Sequence, residues 1–147
     1  MQTIISKVPN DRAETPIEGS GGGLHILIAD DDRWIREAIA ELFQREGYSV
    51  STAEDGEAAY AILCEKTVDL LITDEDMPRL RGVELLRRLR QENSPLPAIL
   101  ISGCLPWNEP DLDDLLKPGF ALEKPFAFSQ LLKEVQVLSA ATQAGVK

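Results

Sequence analysis

Histidine, cysteine and long apolar runs are scarce in this sequence. Its 147 residues include one histidine and two cysteines, Cys64 and Cys104, which lie far apart and match no metal-ligand spacing. We therefore interpret both as reduced thiols and expect neither a zinc site nor a disulfide framework. No apolar run approaches the roughly 18 residues that a membrane span needs, and the N-terminus lacks the basic start and apolar centre of a signal peptide. These absences predict a soluble, cytoplasmic protein.

Positive charge is also in deficit. The sequence has 15 lysines and arginines against 25 aspartates and glutamates, which gives a net charge of −10. Such a surface repels phosphate backbones and anionic lipid, so we expect no direct binding to nucleic acid or to membranes. The hydrophobic content of 44% is typical of a globular chain. A chain of this length can form one domain without the help of a metal or a disulfide.

The chain divides into an arm, one domain and a short tail. Residues 1–23 contain two prolines and the run GSGGG without apolar periodicity, which is typical of a flexible arm or linker. Residues 24–140 alternate apolar, strand-like segments with amphipathic helical segments, and residues 141–147 form a C-terminal tail. The five predicted strands are LHILIA (24–29), YSVST (48–52), VDLLIT (68–73), AILIS (98–102) and FALE (120–123).

This alternation determines the expected fold class. Five strands and five helices that alternate along one chain predict an α/β protein, a three-layer α/β/α sandwich around a five-stranded parallel sheet. Most of the strands are apolar nearly throughout, as expected when helices cover both faces of the sheet. Ligands of such sheets bind at the carboxyl ends of the strands. The residues that end each strand are therefore the candidates for function.

Four of the five predicted strands end in candidate functional side chains, whereas the second ends in Ser51 and Thr52, which suggest no function. Each could have a structural role alone, since aspartates cap helices and a lone lysine is usually solvated. Together, several carboxylates near one edge repel one another unless a cation is supplied, and oxygen ligands without histidine or thiolate favour Mg²⁺. A magnesium ion, a lysine and a hydroxyl that converge on one aspartate form a phosphoryl-transfer site whose product is an acyl phosphate. The groups are Asp30, Asp31 and Asp32, Asp74 with Glu75 and Asp76, Ser102, and Lys124.

The same segments carry a family resemblance. The motifs ADDD (29–32), LLITDEDMPRLRG (70–82), ILISG (99–103) and EKPF (123–126) resemble the receiver domain of two-component response regulators, over about residues 24–140. The resemblance is to single-domain, chemotaxis-regulator-like receivers and implies a flavodoxin-like strand order of 2-1-3-4-5. It also implies a signalling protein, not an enzyme, that catalyses only its own phosphorylation and dephosphorylation in a phosphorelay. The phosphoryl donor would be a histidine kinase or a histidine phosphotransfer protein, and the output would pass to a downstream protein partner.

Position by position, the resemblance implies a role for each candidate. Asp74 would accept the phosphoryl group, and the Ser102 hydroxyl would form a hydrogen bond with it. Lys124 would pair with the same group, next to a peptide bond to Pro125 that the family usually keeps cis. The ligands of Mg²⁺ would be Asp31 directly, Asp30 through water, Asp74, and the backbone carbonyl of Asp76.

Other functions are compatible with parts of this pattern. A haloacid-dehalogenase-like phosphohydrolase also uses D-x-D, Ser or Thr, and a lysine at strand ends. Against it, Pro78 stands where that family has Thr or Val, and an apolar helix follows Lys124 where its acidic metal-binding pair belongs. A degenerate receiver that serves only as a docking module, or a receiver module cut from a longer hybrid kinase, remain open. A dinucleotide-binding fold is excluded because GSGGG precedes the first strand instead of following it.

Three further residues bear on signalling. Trp34 falls beside the apolar stripe of the first helix, so it is either a partner contact or a packing residue. Receivers usually carry Tyr or Phe three residues before the lysine, where this chain has Ala121. Phe120 lies one residue earlier and should face the other side of the strand. Without that ring, we expect phosphorylation to be read out through the position or order of the fourth helical segment, DLDDLLKPG.

Overall fold

The computed structural model describes residues 23–145, with side chains described through residue 140. The predicted N-terminal arm therefore lies outside the described residues except for Gly23, as does the end of the predicted tail. Strands and helices alternate throughout, as predicted. The elements are β1 (His25–Ala29), α1 (Arg33–Arg45), β2 (Ser49–Ala53), α2 (Gly56–Glu65), β3 (Leu70–Asp74), α3 (Gly82–Gln91), β4 (Ala98–Ser102), α4 (Leu112–Leu116), β5 (Gly119–Glu123) and α5 (Phe128–Gly145).

The five strands form one parallel sheet in the order β2-β1-β3-β4-β5. Successive side chains of a strand point to opposite faces, so Leu71 lies in the core against α2, α3 and α4, whereas Ile72 lies in the core against α1 and α5. The sheet is thus covered by helices on both faces. The predicted three-layer α/β/α sandwich and its flavodoxin-like strand order are both confirmed.

Local sequence signals explain where α1 begins and ends. The Asp32 carboxylate accepts hydrogen bonds from the backbone N–H groups of Trp34 and Ile35, which have no partner within the helix. The helix ends just before Gly47, whose φ of +95° is a left-handed conformation that glycine adopts at little cost. Between these ends, Ile39 and Phe43 are buried against the sheet. This placement puts the start of α1 beside the carboxyl end of β1.

The fourth helix is shorter than the predicted helical segment. The run WNEPDLDDLLK (107–117) predicts a helical segment around Leu112, Leu115 and Leu116, but α4 comprises only Leu112–Leu116. Pro110 explains part of the difference, because proline disfavours helical backbone in the residue before it. At the other end of the chain, α5 continues to Gly145 and so extends into the predicted tail. None of the described helices has the length and apolar character to cross a membrane.

Strand β5 has the alternation that the sequence predicts. Its pairing with β4 is regular from Gly119 opposite Ala98 to Glu123 opposite Ser102, without a bulge. Phe120 packs against the α1 and α5 core, and Ala121 packs against the opposite core. The expected placement of Phe120 on the other face is confirmed. The face of β5 that Ala121 occupies therefore carries a methyl group in place of a ring.

Candidate functional site

The strand order gathers the predicted residues at the carboxyl edge of the sheet. Asp30 and Asp31 follow β1, and Asp74 is the last residue of β3, the neighbouring strand. Each of the three offers a carboxylate oxygen, and these oxygens lie within 4.8 Å of one another. Ser102 ends β4 and Lys124 follows β5, on the other side of β3. The alternation of strands and helices thus brings residues nearly 100 positions apart to one place.

Two of the three carboxylates are removed from water. Asp30 is 4% exposed and Asp74 is 3% exposed, whereas Asp31 is open to solvent. Burial, with a contribution from nearby Asp74, raises the pKa of Asp30 to about 6, against the hydrogen bond that its Oδ1 accepts from the Asp32 N–H. Burial likewise raises the pKa of Asp74, against the opposing effect of Lys124. Ionised carboxylates at this edge of the sheet therefore cost free energy, and a cation bound next to them would lower that cost.

Lys124 supplies the cationic side chain of the cluster. Its Nζ lies 2.8 Å from Asp74 Oδ1. Burial, the largest single cause, would lower the pKa of Lys124, but the contact with Asp74 and the charges of Asp30 and Asp76 together raise it. Apart from this ion pair, Asp74 Oδ1 receives no hydrogen bond from the described part of the chain although it is buried. The Lys124–Pro125 peptide bond is cis, as the resemblance implies.

Asp76 and Ser102 form the rim beside Asp74. The backbone N–H of Asp76 donates to Asp74 Oδ2 at 3.0 Å, while its own side chain is exposed. Ser102 is completely buried, and its Oγ accepts a hydrogen bond from the Cys104 N–H at 3.0 Å. The hydroxyl proton has two possible acceptors, the Cys104 carbonyl at 2.9 Å and Asp76 Oδ2 at 3.3 Å. Ser102 is therefore held in place by the turn that follows it.

The three consecutive aspartates after β1 divide their roles. Asp30 and Asp31 belong to the carboxylate cluster, whereas Asp32 caps α1. The capping interpretation and the cluster interpretation therefore each apply to different residues of the triplet. Arg36, one turn into α1, donates from Nη1 to the Asp30 carbonyl at 2.8 Å. This bond fixes the backbone at the point where the strand becomes the site.

The donor set suits a small, hard cation. Three carboxylates converge, no thiolate or imidazole is among them, and the buried Asp74 Oδ1 forms an ion pair with Lys124 but accepts no hydrogen bond from the described residues. Oxygen-only ligand sets favour Mg²⁺ or Ca²⁺ over transition metals. Asp31, being exposed, can reach an ion that approaches from solvent. The acidic cluster is thus able to hold a divalent cation.

Sequence reasoning missed the role of Glu75. We grouped it with the carboxylates after β3, but its side chain points away from them and is 4% exposed. Its Oε1 accepts from the Val83 N–H at 2.7 Å and its Oε2 accepts from Arg81 Nε at 2.8 Å, so it fixes the start of α3. Gly82 allows the close approach, since a Cβ there would lie 2.5 Å from the Asp74 carbonyl oxygen. The pairing of a buried glutamate with an arginine six residues later produces no hydrophobic periodicity, so the sequence pattern did not indicate it.

An apolar groove lies next to the site. It has a volume of about 460 Å³ and is lined by Ile35 of α1 together with Lys124, Pro125, Phe126 and Phe128. Trp34, which precedes Ile35, is 79% exposed. The alternative that Trp34 packs over the sheet edge is therefore wrong. An exposed tryptophan beside an apolar groove is a surface that suits contact with another protein.

Comparison with known proteins places this geometry in a family. A sequence model described as the response regulator receiver domain matches residues 26–136. Response regulator MprA of Mycobacterium avium is 33% identical over 120 residues, which cover 82% of this chain and 53% of that protein. MprA of Mycolicibacterium vanbaalenii is 33% identical over 115 residues, 78% of this chain and 50% of that protein. The chain thus spans about half the length of the curated relatives it matches.

Solved structures agree with the sequence comparisons. The receiver domain of the Francisella response regulator 1452 superposes with a TM-score of 0.74 at 29% identity, covering 82% of this chain and 99% of that one. Thermotoga maritima response regulator TrrA, solved with Mg²⁺ and BeF, has a TM-score of 0.68 at 32% identity and covers 78% and 98%. Because the family model, the curated relatives and the fold all agree, this chain belongs to the response regulator receiver domain family of two-component systems.

Proposed function

We propose that this receiver accepts a phosphoryl group on Asp74 from a histidine kinase or a histidine phosphotransfer protein. The observation that carries the proposal is the position of Asp74, buried at the end of β3, in the carboxylate cluster and 2.8 Å from Lys124 Nζ. A carboxylate oxygen of Asp74 forms the new P–O bond while the P–N bond to the donor imidazole breaks. The leaving imidazole keeps the electron pair of that bond and takes up a proton.

The surrounding residues are suited to stabilise that transfer. The Lys124 ammonium pairs with negative charge at Asp74, and the Asp76 N–H already donates to Asp74 Oδ2. The Ser102 proton, once it leaves the Cys104 carbonyl, is available to a phosphoryl oxygen. Lys124 and the Asp76 N–H already point at Asp74 and need little reorganisation, whereas the Ser102 hydroxyl has to turn toward the phosphoryl group when it arrives.

Magnesium is the cofactor that the donor set favours. Asp31 and Asp74 would hold it directly, Asp30 through water, and Asp76 through its backbone carbonyl. When bound, the ion would neutralise negative charge on the transferring group. The relative TrrA was solved with Mg²⁺ and BeF, which supports the proposal by analogy.

Recognition and output are proposed to be contacts between proteins. The groove beside Lys124 and the exposed Trp34 offer a surface to the phosphoryl donor. The net charge of −10 disfavours nucleic acid and anionic lipid as partners of this domain. We therefore propose a cytoplasmic signalling domain that passes its state to a downstream protein and turns over no substrate other than its own acyl phosphate.

Labelling of Asp74 tests the proposal. With Mg²⁺ and acetyl phosphate, intact-mass spectrometry should show the addition of one phosphoryl group, and Asp74→Asn should abolish it. Asp113→Asn, an exposed aspartate of α4, is the matched control and should label like the wild type. Undiminished labelling of Asp74→Asn would refute the assignment. An unlabelled wild type would favour a docking module, and sustained turnover of p-nitrophenyl phosphate would favour a phosphohydrolase.

A further inference from the structure

A chain of alternating charges leads from the end of β3 to the start of α4. Glu75, directly after Asp74, accepts from Arg81 Nε at 2.8 Å and lies 2.7 Å from Arg81 Nη2. The same Nη2 lies 3.6 Å from Glu109 Oε2, in the loop that follows β4. Arg87 Nη2 of α3 then lies 2.9 Å from both Glu109 and Asp111, the residue before α4. We name the five residues Glu75, Arg81, Glu109, Arg87 and Asp111 the charge relay.

The charge relay begins at a buried residue, Glu75, and ends at a residue that solvent reaches, Asp111. The Glu75 side chain is 4% exposed, whereas those of Arg81 and Asp111 are 44% and 39% exposed. Two guanidinium nitrogens contact the same Glu75 oxygen, and the Val83 N–H satisfies the other oxygen. Charge-assisted bonds to a buried carboxylate are short and specific in geometry, here with two guanidinium nitrogens on one oxygen. Arg81 is therefore anchored on the acceptor side of the relay.

The charge relay spans the two strand ends that carry the proposed chemistry. Glu75 lies next to Asp74, and its N–H donates to the Ile101 carbonyl, one residue before Ser102, at 2.8 Å. Glu109 belongs to the loop that begins after Ser102. A movement of the Ser102 turn toward a phosphoryl group on Asp74 would therefore displace Glu109 relative to Arg81. The contact of 3.6 Å between these two is the longest in the relay, and we expect it to be the first that such a movement changes.

Helix α4 is short and depends on α3 for its position. It comprises five residues, and Arg87 and Arg90 hold its two ends, the latter through a bond of 2.9 Å from Nε to the Leu115 carbonyl. An isolated helix of this length is not stable without such contacts. The residue facing α4 on β5 is Ala121, which cannot transmit a side-chain rotation. Besides the apolar contacts of its leucines with the core, α4 is thus connected to the residue after Asp74 by the charged contacts of the relay.

We propose that Glu75 is a positioning residue and that the charge relay transmits phosphorylation of Asp74 to the β4–α4 loop and α4. The inference rests on the proposed function, since it requires a phosphoryl group at Asp74. Before phosphorylation, Arg81 and Arg87 share Glu109 and hold the loop against α3. After phosphorylation, displacement of the loop alters the contacts of Glu109 with Arg81 and Arg87. Asp111, which also contacts Arg87, transmits this alteration to the first turn of α4. The coupling is thus a property of Glu75, Arg81 and Glu109, not of a ring on β5.

Glu109→Gln tests the relay without touching the acceptor. It weakens the contacts with Arg81 and Arg87 but leaves the Glu75–Arg81 pair in place. Amide shifts should be recorded with and without beryllofluoride and Mg²⁺. In the wild type, residues 105–116 should shift together with those at Asp74 and Ser102. In the variant, we expect the shifts at 105–116 to fall by roughly half or more, with the local shifts at Asp74 and Ser102 preserved.

Two further variants separate coupling from general loss of charge. Glu57→Gln removes an ion-paired glutamate that lies 3.5 Å from Arg88, outside the relay, and should behave like the wild type. Glu75→Gln keeps an oxygen for the Val83 N–H but loses the charge that holds Arg81, and should reduce the response at 105–116 as Glu109→Gln does. An unchanged response in both Glu109→Gln and Glu75→Gln would overturn the relay alone. A wild type that shows no shift at Asp74 or Ser102 would overturn the proposed function, and the relay with it.

Discussion

The Ser102 hydroxyl oxygen lies 3.3 Å from Asp76 Oδ2, so Asp76 competes with the Cys104 carbonyl, at 2.9 Å, for the single proton of that hydroxyl. Two carboxylates, Asp74 and Asp76, therefore flank the position where a phosphoryl oxygen would bind Ser102. The charge of Asp76 would be close enough to act on an acyl phosphate formed at Asp74, and its side chain is exposed and plays no part in the core. This residue is thus suited to set the lifetime of the phosphorylated state.

We expect Asp76→Asn to lengthen the half-life of the phosphorylated protein severalfold. The substitution removes like-charge repulsion beside the phosphoryl group and a carboxylate that could accept a proton from attacking water. Phosphate release after removal of acetyl phosphate measures the half-life directly. The variant should still be labelled, since its backbone N–H continues to donate to Asp74. Equal half-lives for the two proteins would contradict this role of Asp76.

Magnesium should stabilise the folded protein through Asp31. A ligand that binds only the folded state at about 100 times its dissociation constant adds about 2.7 kcal/mol to the free energy of unfolding. We expect the melting temperature of the wild type to rise with Mg²⁺ concentration and that of Asp31→Asn to stay nearly constant. Asp31 is exposed, so its replacement leaves the packing intact. Asp113→Asn, which removes an aspartate outside the cluster, should keep the rise, and equal rises in all three would place the ion elsewhere.

Replacement of Trp34 should slow phosphorylation by a protein donor, a histidine kinase, but not by a small-molecule donor such as acetyl phosphate. Loss of an anchoring tryptophan from an interface typically costs about 2 kcal/mol or more, so Trp34→Ala should slow phosphotransfer from a cognate histidine kinase by about 30-fold or more at limiting concentration. Labelling by acetyl phosphate should be unchanged. Trp107→Ala removes the other exposed tryptophan, 64% exposed in the β4–α4 loop, and serves as the control. Loss of both reactions in Trp34→Ala would indicate a structural role instead.

The fold could be predicted because its main elements have strong local signals. Apolar strands ended by aspartates, and helices with one apolar stripe, determine the alternation, and the carboxyl edge follows from the alternation alone. This is why Asp30, Asp74 and Lys124 could be placed together before any geometry was known. The strand order itself came from the resemblance, since periodicity does not specify which strands are neighbours.

The burial of single side chains and the length of α4 could not be predicted, because they depend on contacts between different helices, strands and loops. Nothing in the run DEDMP distinguishes the exposed Asp76 from the buried Glu75, because the difference arises from Arg81 and the Val83 N–H. Likewise, a place beside the apolar stripe of α1 does not decide whether Trp34 is exposed. The leucine spacing of the fourth segment does not show where α4 begins, whereas Pro110 disfavours helix in the residue before it. Tertiary contacts decide these points.

His25 is the one histidine, and its protonation state is determined by its neighbours. Its Nδ1 lies 3.0 Å from the Thr67 carbonyl, which only accepts, so Nδ1 carries the proton. Its Nε2 lies 2.7 Å from Ser51 Oγ and therefore accepts from that hydroxyl. Burial, which dominates, and nearby Lys66 lower its pKa from the usual 6.5, against the hydrogen bond to Thr67 and the charge of Asp69. The ring is therefore neutral and fully bonded in the folded protein.

This neutral ring predicts a loss of stability in mild acid. Because the pKa of His25 is lower in the folded state, the unfolded chain binds a proton first as the pH falls through 6.5. The contribution of the neutral His25 ring to the free energy of unfolding is thus fully present above pH 6.5. It decreases as the pH falls from 6.5 to the pKa of His25 in the folded protein. Buried carboxylates with raised pKa values act in the opposite direction, so the comparison must be made against His25→Gln, which keeps a polar side chain without titrating. Urea unfolding of both proteins between about pH 7.5 and pH 5 measures this effect. The free energy of unfolding of the wild type should fall relative to that of the variant, by up to about 1.4 kcal/mol for each pH unit that separates the folded and unfolded pKa of His25. A difference between the two proteins that stays constant with pH would mean that folding does not change the pKa of His25.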